Sequence, residues 1–307
     1  MLRTLAQRLV QAVIVLAGVM LLIFVMLRIV PGNPVETMMG EHASRETVDR
    51  ISAEMGLDQP LHIQFFRYLS SALRGDFGTS YTLGKPVSQL LRTAFVNTLI
   101  LALFAAFFAW VIGISCGVLA AVTKNRLPDR IFTGFSLMGI SLPVFMAAML
   151  LQYVFAFRLH WLPISGAESW TGFILPGIAL GWNSAGEIAQ MTRVSLLETL
   201  QEDYIDTALA KGLSPARTVV RHALRNAMLP VMTMMAIQLS ALLSGAVITE
   251  TVFSLNGLGR LMVQAISGRD IPLLQGTALF ATAIVILGSL AADCLYAVLD
   301  PRIRKGG

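Results

Sequence analysis

Apolar residues arrive in this chain in stretches too long for the core of a soluble domain. Residues 9–30, 97–122, 131–157, 173–197, 228–249 and 275–299 each run for more than twenty positions with few charges. A helix needs about 20 residues to cross the roughly 30 Å hydrocarbon layer of a bilayer. Composition agrees, with 55% of residues hydrophobic and 13% charged, against about 25% charged in soluble domains. The expectation is an all-α integral membrane protein with six transmembrane helices. The first run is not read as a secretory signal. It exceeds the roughly 7 to 15 apolar residues of a cleavable core, and no small-residue cleavage site follows it before Arg28-Ile29-Val30-Pro31-Gly32-Asn33-Pro34.

Residues 1–30 therefore form a short N-terminus and a retained first helix. Residues 31–96 are mixed polar, broken by Pro31, Pro34, Pro60 and Pro86, and form an extramembrane insertion of roughly sixty residues, since nothing in them could span. Within it, residues 46–55 suggest a short helix ended by Gly56. Residues 62–73 suggest another, amphipathic through Ile63, Phe66, Tyr68, Leu69 and Leu73. Residues 97–307 hold the other five helices. The net charge of +5 would suggest nucleic acid in a soluble protein. Here Arg3, Arg8, Lys124, Arg126, Arg130, Lys211, Arg217, Arg221, Arg225, Arg302, Arg304 and Lys305 all fall on one side of the six spans. The two short loops opposite carry only Arg158, Arg260 and Arg269. The positive-inside rule then puts both termini and residues 202–226 in the cytoplasm, and the insertion on the far side.

Residues 202–230, EDYIDTALAKGLSPARTVVRHALRNAMLP, are the charged segment between two long apolar ones. Tyr204 with Ala208 and Ile205 with Leu209 are spaced for one helix, and Gly212 after Lys211 predicts a glycine C-cap. Ser214-Pro215 predicts a second start, an N-cap followed by proline at the first helical position. Arg217, Arg221 and Arg225 would then form a basic ridge at i, i+4, i+8. An ordinary linker needs none of this capping.

Asp203-Tyr204, Thr207-Ala208, Ala210-Lys211-Gly212, the run from Arg221 to Ala227 and Leu229-Pro230 resemble the EAA loop of ABC-importer permeases. The resemblance is to the dipeptide, oligopeptide, glutathione and nickel branch, and Asp206-Thr207-Ala208 stands where the general pattern has Glu-Ala-Ala. Gly56-Leu57-Asp58-Gln59-Pro60, Gly75-Asp76-Phe77-Gly78-Thr79-Ser80 and Asp300-Pro301-Arg302 are similar to the same branch. So is Phe253-Ser254-Leu255-Asn256-Gly257-Leu258-Gly259, with Leu255-Asn256 where Trp-Pro is usual. This resemblance implies a type I ABC importer permease in a bacterial inner membrane, multi-pass, moving a small peptide-like or metal-chelate solute by alternating access. It implies an ATPase-coupling loop carried by Asp203, Tyr204, Asp206, Ala208, Lys211, Gly212, Pro215, Arg217, Arg221 and Arg225. The implied partners are a second similar permease, two ATPase subunits that bind ATP and magnesium, and an extracytoplasmic solute-binding protein.

Other classes find less in the residues. No GxxxxGK[ST] occurs, so no P-loop cradles nucleotide in this chain. His42, His62, His160 and His222 are scattered, and Cys116 and Cys294 lie in apolar runs, which suggests neither an enzyme nor a metal site. A secondary transporter with its own ion coupling is the alternative, but it predicts inverted repeats and paired mid-membrane ionisable groups. Only Glu187 and Asp293 qualify. The fourth run is the most polar, with Asn183, Ser184, Glu187 and Gln190, and should face a cavity or protein rather than lipid. Asn183 and Glu187 either line the passage or are satisfied by a neighbouring helix. Arg193 lies close to the cytoplasmic end of this run and can snorkel, so a structural role is expected of it, and Glu250 is expected to hold a helix or loop. Gly113, Gly117 and Ala121, and Gly177, Gly181 and Ala185, form two small-residue rows for close packing, within one subunit or against a second.

Overall fold

The computed structural model describes residues 2–29, 45–54, 58–243 and 246–299. The proline run at residues 31–34, His42, Gly56 and the ending with Asp300, Arg302, Arg304 and Lys305 lie outside the described residues. So do the side chains of Arg3, Arg8, Asp293 and Cys294. Helix α1 spans Leu2–Ile29, α2 Arg45–Glu54, α3 Leu61–Leu73 and α4 Val87–Val122. Helices α5 (Leu127–Ser141) and α6 (Val144–Leu151) run into a π-helical turn, Gln152–Arg158. Then come α7 (Ile174–Thr199), α8 (Asp203–Ala210), α9 (Pro215–Thr218), a second π turn (Val219–Ala223) and α10 (Leu224–Leu243). The last helices are α11 (Val247–Val252), α12 (Leu258–Ser267) and α13 (Ile271–Leu299). Among the described residues the only β pairing is an isolated bridge, Thr79 with Pro86.

Helix α4 and residues 271–291 of α13 are each long and apolar enough to cross a bilayer, and among the described side chains of α1 the stretch 10–26 is apolar. The third expected span is not one straight helix. Residues 127–141 and 144–158 are bent by 109° at a break. Pro143 has no N–H to continue the ladder and pushes the residue before it out of the helical region, and Leu142 sits at φ −80°, ψ 121°. The fifth expected span, 228–249, is also interrupted. Helix α10 ends at Leu243, Ala246 is non-helical at φ −93°, ψ 57°, and α11 restarts at Val247. Small residues are tolerated in membrane helices, so composition does not mark this break.

The chain divides into two units, residues 1–97 with 256–286, and residues 98–255 with 287–307. In the first, Val87, Leu91 and Ala94 pack on Leu258, Leu261, Ala265 and Leu273. The Gly75–Ser80 text ties down its loop. The Asp76 carboxylate accepts the Gly78 N–H at 2.9 Å, Phe77 joins the core, and the Ser80 hydroxyl donates to Asp270 Oδ2 at 2.6 Å. Asp270, fully buried, also accepts the Thr82 N–H and hydroxyl at 3.0 and 2.9 Å and the Leu273 N–H at 3.2 Å. It thereby caps the start of α13. Burial alone would raise its carboxyl pKa, but the Ser80 hydroxyl, the two backbone N–H groups and the Thr82 hydroxyl together hold it below the ordinary carboxylate value. A depressed folded pKa gives stability that is full above the unfolded value of about 3.9 and is lost as pH falls through the folded one. Asp270→Asn should therefore cost on the order of 2 kcal/mol at neutral pH. Its thermal midpoint should also lose the part of the wild-type fall below about pH 4 that Asp270 causes. Equal pH profiles for the two proteins would exclude the ionised Asp270 as the cap.

The second unit is built round α7, whose buried residues include Gly177, Gly181, Ala185, Ile188, Ala189, Thr192 and Leu196. A Cβ on Gly113 would stand 2.8 Å from the Ala185 carbonyl and the Ile188 side chain, and Gly117 faces Ala189 and Thr192. Gly177 and Gly181 meet Phe104 and Ala105 from the other side. Both small-residue rows thus pack α4 against α7 within the chain, where the missing side chains let the backbones close. The polar fourth run faces protein, as its composition requires.

Candidate functional site

The capped segment forms as its residues dictate, with two differences. Helix α8 closes on Lys211, whose N–H reaches the Thr207 carbonyl at 3.1 Å, and Gly212 N–H bonds Leu209 O at 2.9 Å. Gly212 has φ +84°, a left-handed conformation that costs an ordinary L-residue about 1–2 kcal/mol. The chain reverses and α9 starts with Pro215 at its first turn. Ser214 occupies the N-cap position, but its hydroxyl makes no capping bond. The second difference is the π turn at Val219–Ala223. Its wider winding shifts the register, so Arg217, Arg221 and Arg225 do not keep the i, i+4, i+8 ridge of a continuous α-helix. All three remain exposed.

Ile205 and Ala208 are buried on the inner side of α8, packing with Ala121, Leu196, Ala223 and Ala227. Asp203, Asp206, Lys211, Gly212 and Pro215 are exposed, and so is Tyr204, whose hydroxyl accepts the Asn226 amide at 2.9 Å. That bond ties α8 to α10 directly. A second tie is the Ser195 hydroxyl on the Ala227 carbonyl at 2.8 Å, joining the end of α7 to α10. Beside the π turn an apolar groove of about 610 Å³ opens between Val118, Val122, Leu200, Pro215 and Val219. The buried Thr218 hydroxyl beside the turn has no hydrogen-bond partner among the described residues.

Arg193 holds a structural ion pair. Its Nε and Nη2 donate to the two oxygens of Asp129 at 2.8 and 2.9 Å. Asp129 is buried at the start of α5 and also accepts the Asn125 N–H at 2.9 Å and the Thr133 hydroxyl at 3.2 Å. Nothing in the sequence pairs these residues, which stand 64 positions apart. Glu187 and Asn183, one turn apart on α7, are both half-buried. The Gln238 amide of α10 donates to Glu187 at 2.8 Å, while Asn183 reaches the Ile140 carbonyl at 3.3 Å, at the end of α5. The carboxylate is therefore held by a neighbouring helix. Glu250 accepts the Thr98 hydroxyl at 2.7 Å and is fully buried, as a structural role requires. Leu255 is buried with Phe253, and the Asn256 carbonyl takes the Asn97 amide at 3.0 Å. Among the described residues no group of three or more His, Cys, Asp or Glu side chains could hold a metal.

The comparisons with known proteins agree with one another. Residues 113–305 match the family described as "Binding-protein-dependent transport system inner membrane component", and residues 1–102 match its N-terminal companion. The chain is 41% identical over 304 residues, 99% of each chain, to the glutathione transport system permease protein GsiC of Escherichia coli K12. Identity and coverage are the same for GsiC of Salmonella typhimurium LT2. Among solved structures it resembles the inward-facing MetNI methionine ABC transporter, with TM-score 0.59 and 21% identity over 69% of this chain and 97% of that one. It also resembles an amino acid ABC transporter, with TM-score 0.55 and 14% identity over 69% of this chain and 94% of that one. These two carry the fold alone. With sequence matches along almost its whole length and the type I importer arrangement of its helices, the chain belongs to the family of binding-protein-dependent transport system inner membrane components, the permeases of ABC importers.

Proposed function

We propose that this chain supplies half the pathway of an ATP-driven importer that carries glutathione or another small peptide-like solute into the cytoplasm by alternating access. The carrying observation is the pair of short helices turned at Gly212, exposed on its charged side, tied by Tyr204 to α10 and packed through Ile205 on Leu196 of α7 and Ala227 of α10. A rigid element of that kind can pass closure of an ATPase to α7 and α10 as a two-state rocking. Asp203, Tyr204, Asp206, Ala208, Lys211, Gly212, Pro215, Arg217, Arg221 and Arg225 form the docking element in this reading. Asn183 and Glu187, with Gln238, line or border the path. The 41% identity to glutathione permeases favours a peptide-like solute over a metal chelate.

The reading includes a second, similar permease, two ATPase subunits that bind ATP and magnesium, and an extracytoplasmic binding protein. It places both termini and residues 202–230 in the cytoplasm, residues 31–96 outside, and residues 97–307 as the core. The test is uptake of labelled glutathione by vesicles holding the complete transporter. Uptake should require ATP on the side of the ATPases together with binding protein on the other side, and should survive a protonophore. Uptake that continues without ATP and collapses with the protonophore would transfer the chain to ion-coupled transport.

A further inference from the structure

The amphipathic pattern of α3 is not arranged as its sequence suggests. Ile63, Phe66 and Leu73 point outward, with Phe66 64% and Leu73 80% exposed, while Gln64 is buried. At 3.6 residues per turn the exposed side has two flanks. Phe66 and Leu73 share one flank, Arg67 and Arg74 lie about 100° round on the other, and Ser70 and the exposed Ile63 fall between them. The helix LHIQFFRYLSSAL contains no acidic residue, and among the described residues Arg67 and Arg74 have no carboxylate partner.

Helix α1 sets the depth. Phe65 of α3 packs edge-on against Phe24 with ring centroids 5.3 Å apart. Phe24 stands four residues before Arg28, the first charge after the apolar run begins, hence about 6 Å along the axis from that charge. Nearby, Leu21, Leu22, Val25 and Met26 of α1 are 43–59% exposed, a surface of the kind that faces acyl chains. Helix α3 is thus fastened near the charged end of the apolar run of α1, with a basic flank and an apolar flank that is uncovered among the described residues. That is the pattern of a helix lying in the plane of a membrane surface.

We propose that α3 lies flat in the headgroup layer, with Phe66 and Leu73 sunk among acyl chains and Arg67 and Arg74 on the phosphates of anionic phospholipid. This holds the insertion against the bilayer and does not depend on which solute is carried. The test uses the complete transporter in vesicles of phosphatidylethanolamine and phosphatidylglycerol, with Cys116 and Cys294 of this chain replaced by alanine. Nitroxide labels are placed singly at Phe66→Cys, Leu73→Cys and, as an exposed control, Asp58→Cys. Labels at 66 and 73 should collide severalfold more often with oxygen than with a water-soluble nickel chelate, and the label at 58 should show the reverse. Arg67→Gln with Arg74→Gln should move the 66 label toward water, as should replacing phosphatidylglycerol by phosphatidylcholine. Chelate collisions at 66 and 73 equal to those at 58 would overturn the proposal. So would shielding that appears only when binding protein is added, which would make this flank a protein-docking face. Immersion indifferent to both the arginines and the anionic lipid would overturn the phosphate contact.

Discussion

Replacing Gly212 by valine is expected to remove most solute-stimulated ATP hydrolysis while the transporter still assembles in the membrane. Nothing lies within 4 Å of where a Cβ would stand, and the backbone is at φ +84°, so the penalty is conformational rather than steric. A β-branched residue in that region costs about 1–2 kcal/mol or more, which lowers the population of the turned state by roughly 5–30-fold. Stimulated ATPase activity should fall by a factor of the same order, roughly 5–30-fold. Asparagine tolerates the left-handed region, so Gly212→Asn should restore much of the activity. That rescue separates the turn's geometry from a general effect of substitution. Equal, near wild-type rates in the valine and asparagine variants would remove the turn from the coupling mechanism.

Asp129→Ala should be the most destabilising single change in the second unit. It strips Arg193 of both its acceptors and leaves the Asn125 N–H without its carboxylate. Breaking a fully buried pair costs about 3–5 kcal/mol. The Arg193 side chain is 27% exposed and can partly turn to water, so about 2–3 kcal/mol is expected. The thermal midpoint in detergent should drop by roughly 5–10 °C. The double variant Asp129→Leu with Arg193→Met should recover much of that loss, because no charge is then left unpaired. A drop of under about 2 °C for the single variant would mean that the pair behaves as an exposed one.

The legible parts of this protein are those whose physics is local. Membrane residence follows from run length, because a helix must cover the hydrocarbon with apolar side chains whatever it packs against. The break at Lys211-Gly212 and the restart at Pro215 follow from two residues with restricted or unusual backbone freedom. The bend at Leu142-Pro143 was equally local, but a scan for apolar length passes over a proline that membrane helices can accommodate. The two small-residue rows announced close packing, and the structure supplied the partner, each row meeting the other helix.

What the sequence alone determined is a multi-span helical membrane chain with a capped, charged segment at a definite place, because hydropathy, capping and glycine conformation act within a few residues. The tertiary structure alone decided the pairs Asp129 with Arg193, Asp270 with Ser80 and Glu187 with Gln238, and the outward turn of Phe66 and Leu73. Asp270 and Ser80 stand 190 positions apart. Each buried polar group must find a partner, yet which partner is set by how helices distant in the chain pack together, and no local pattern encodes that choice.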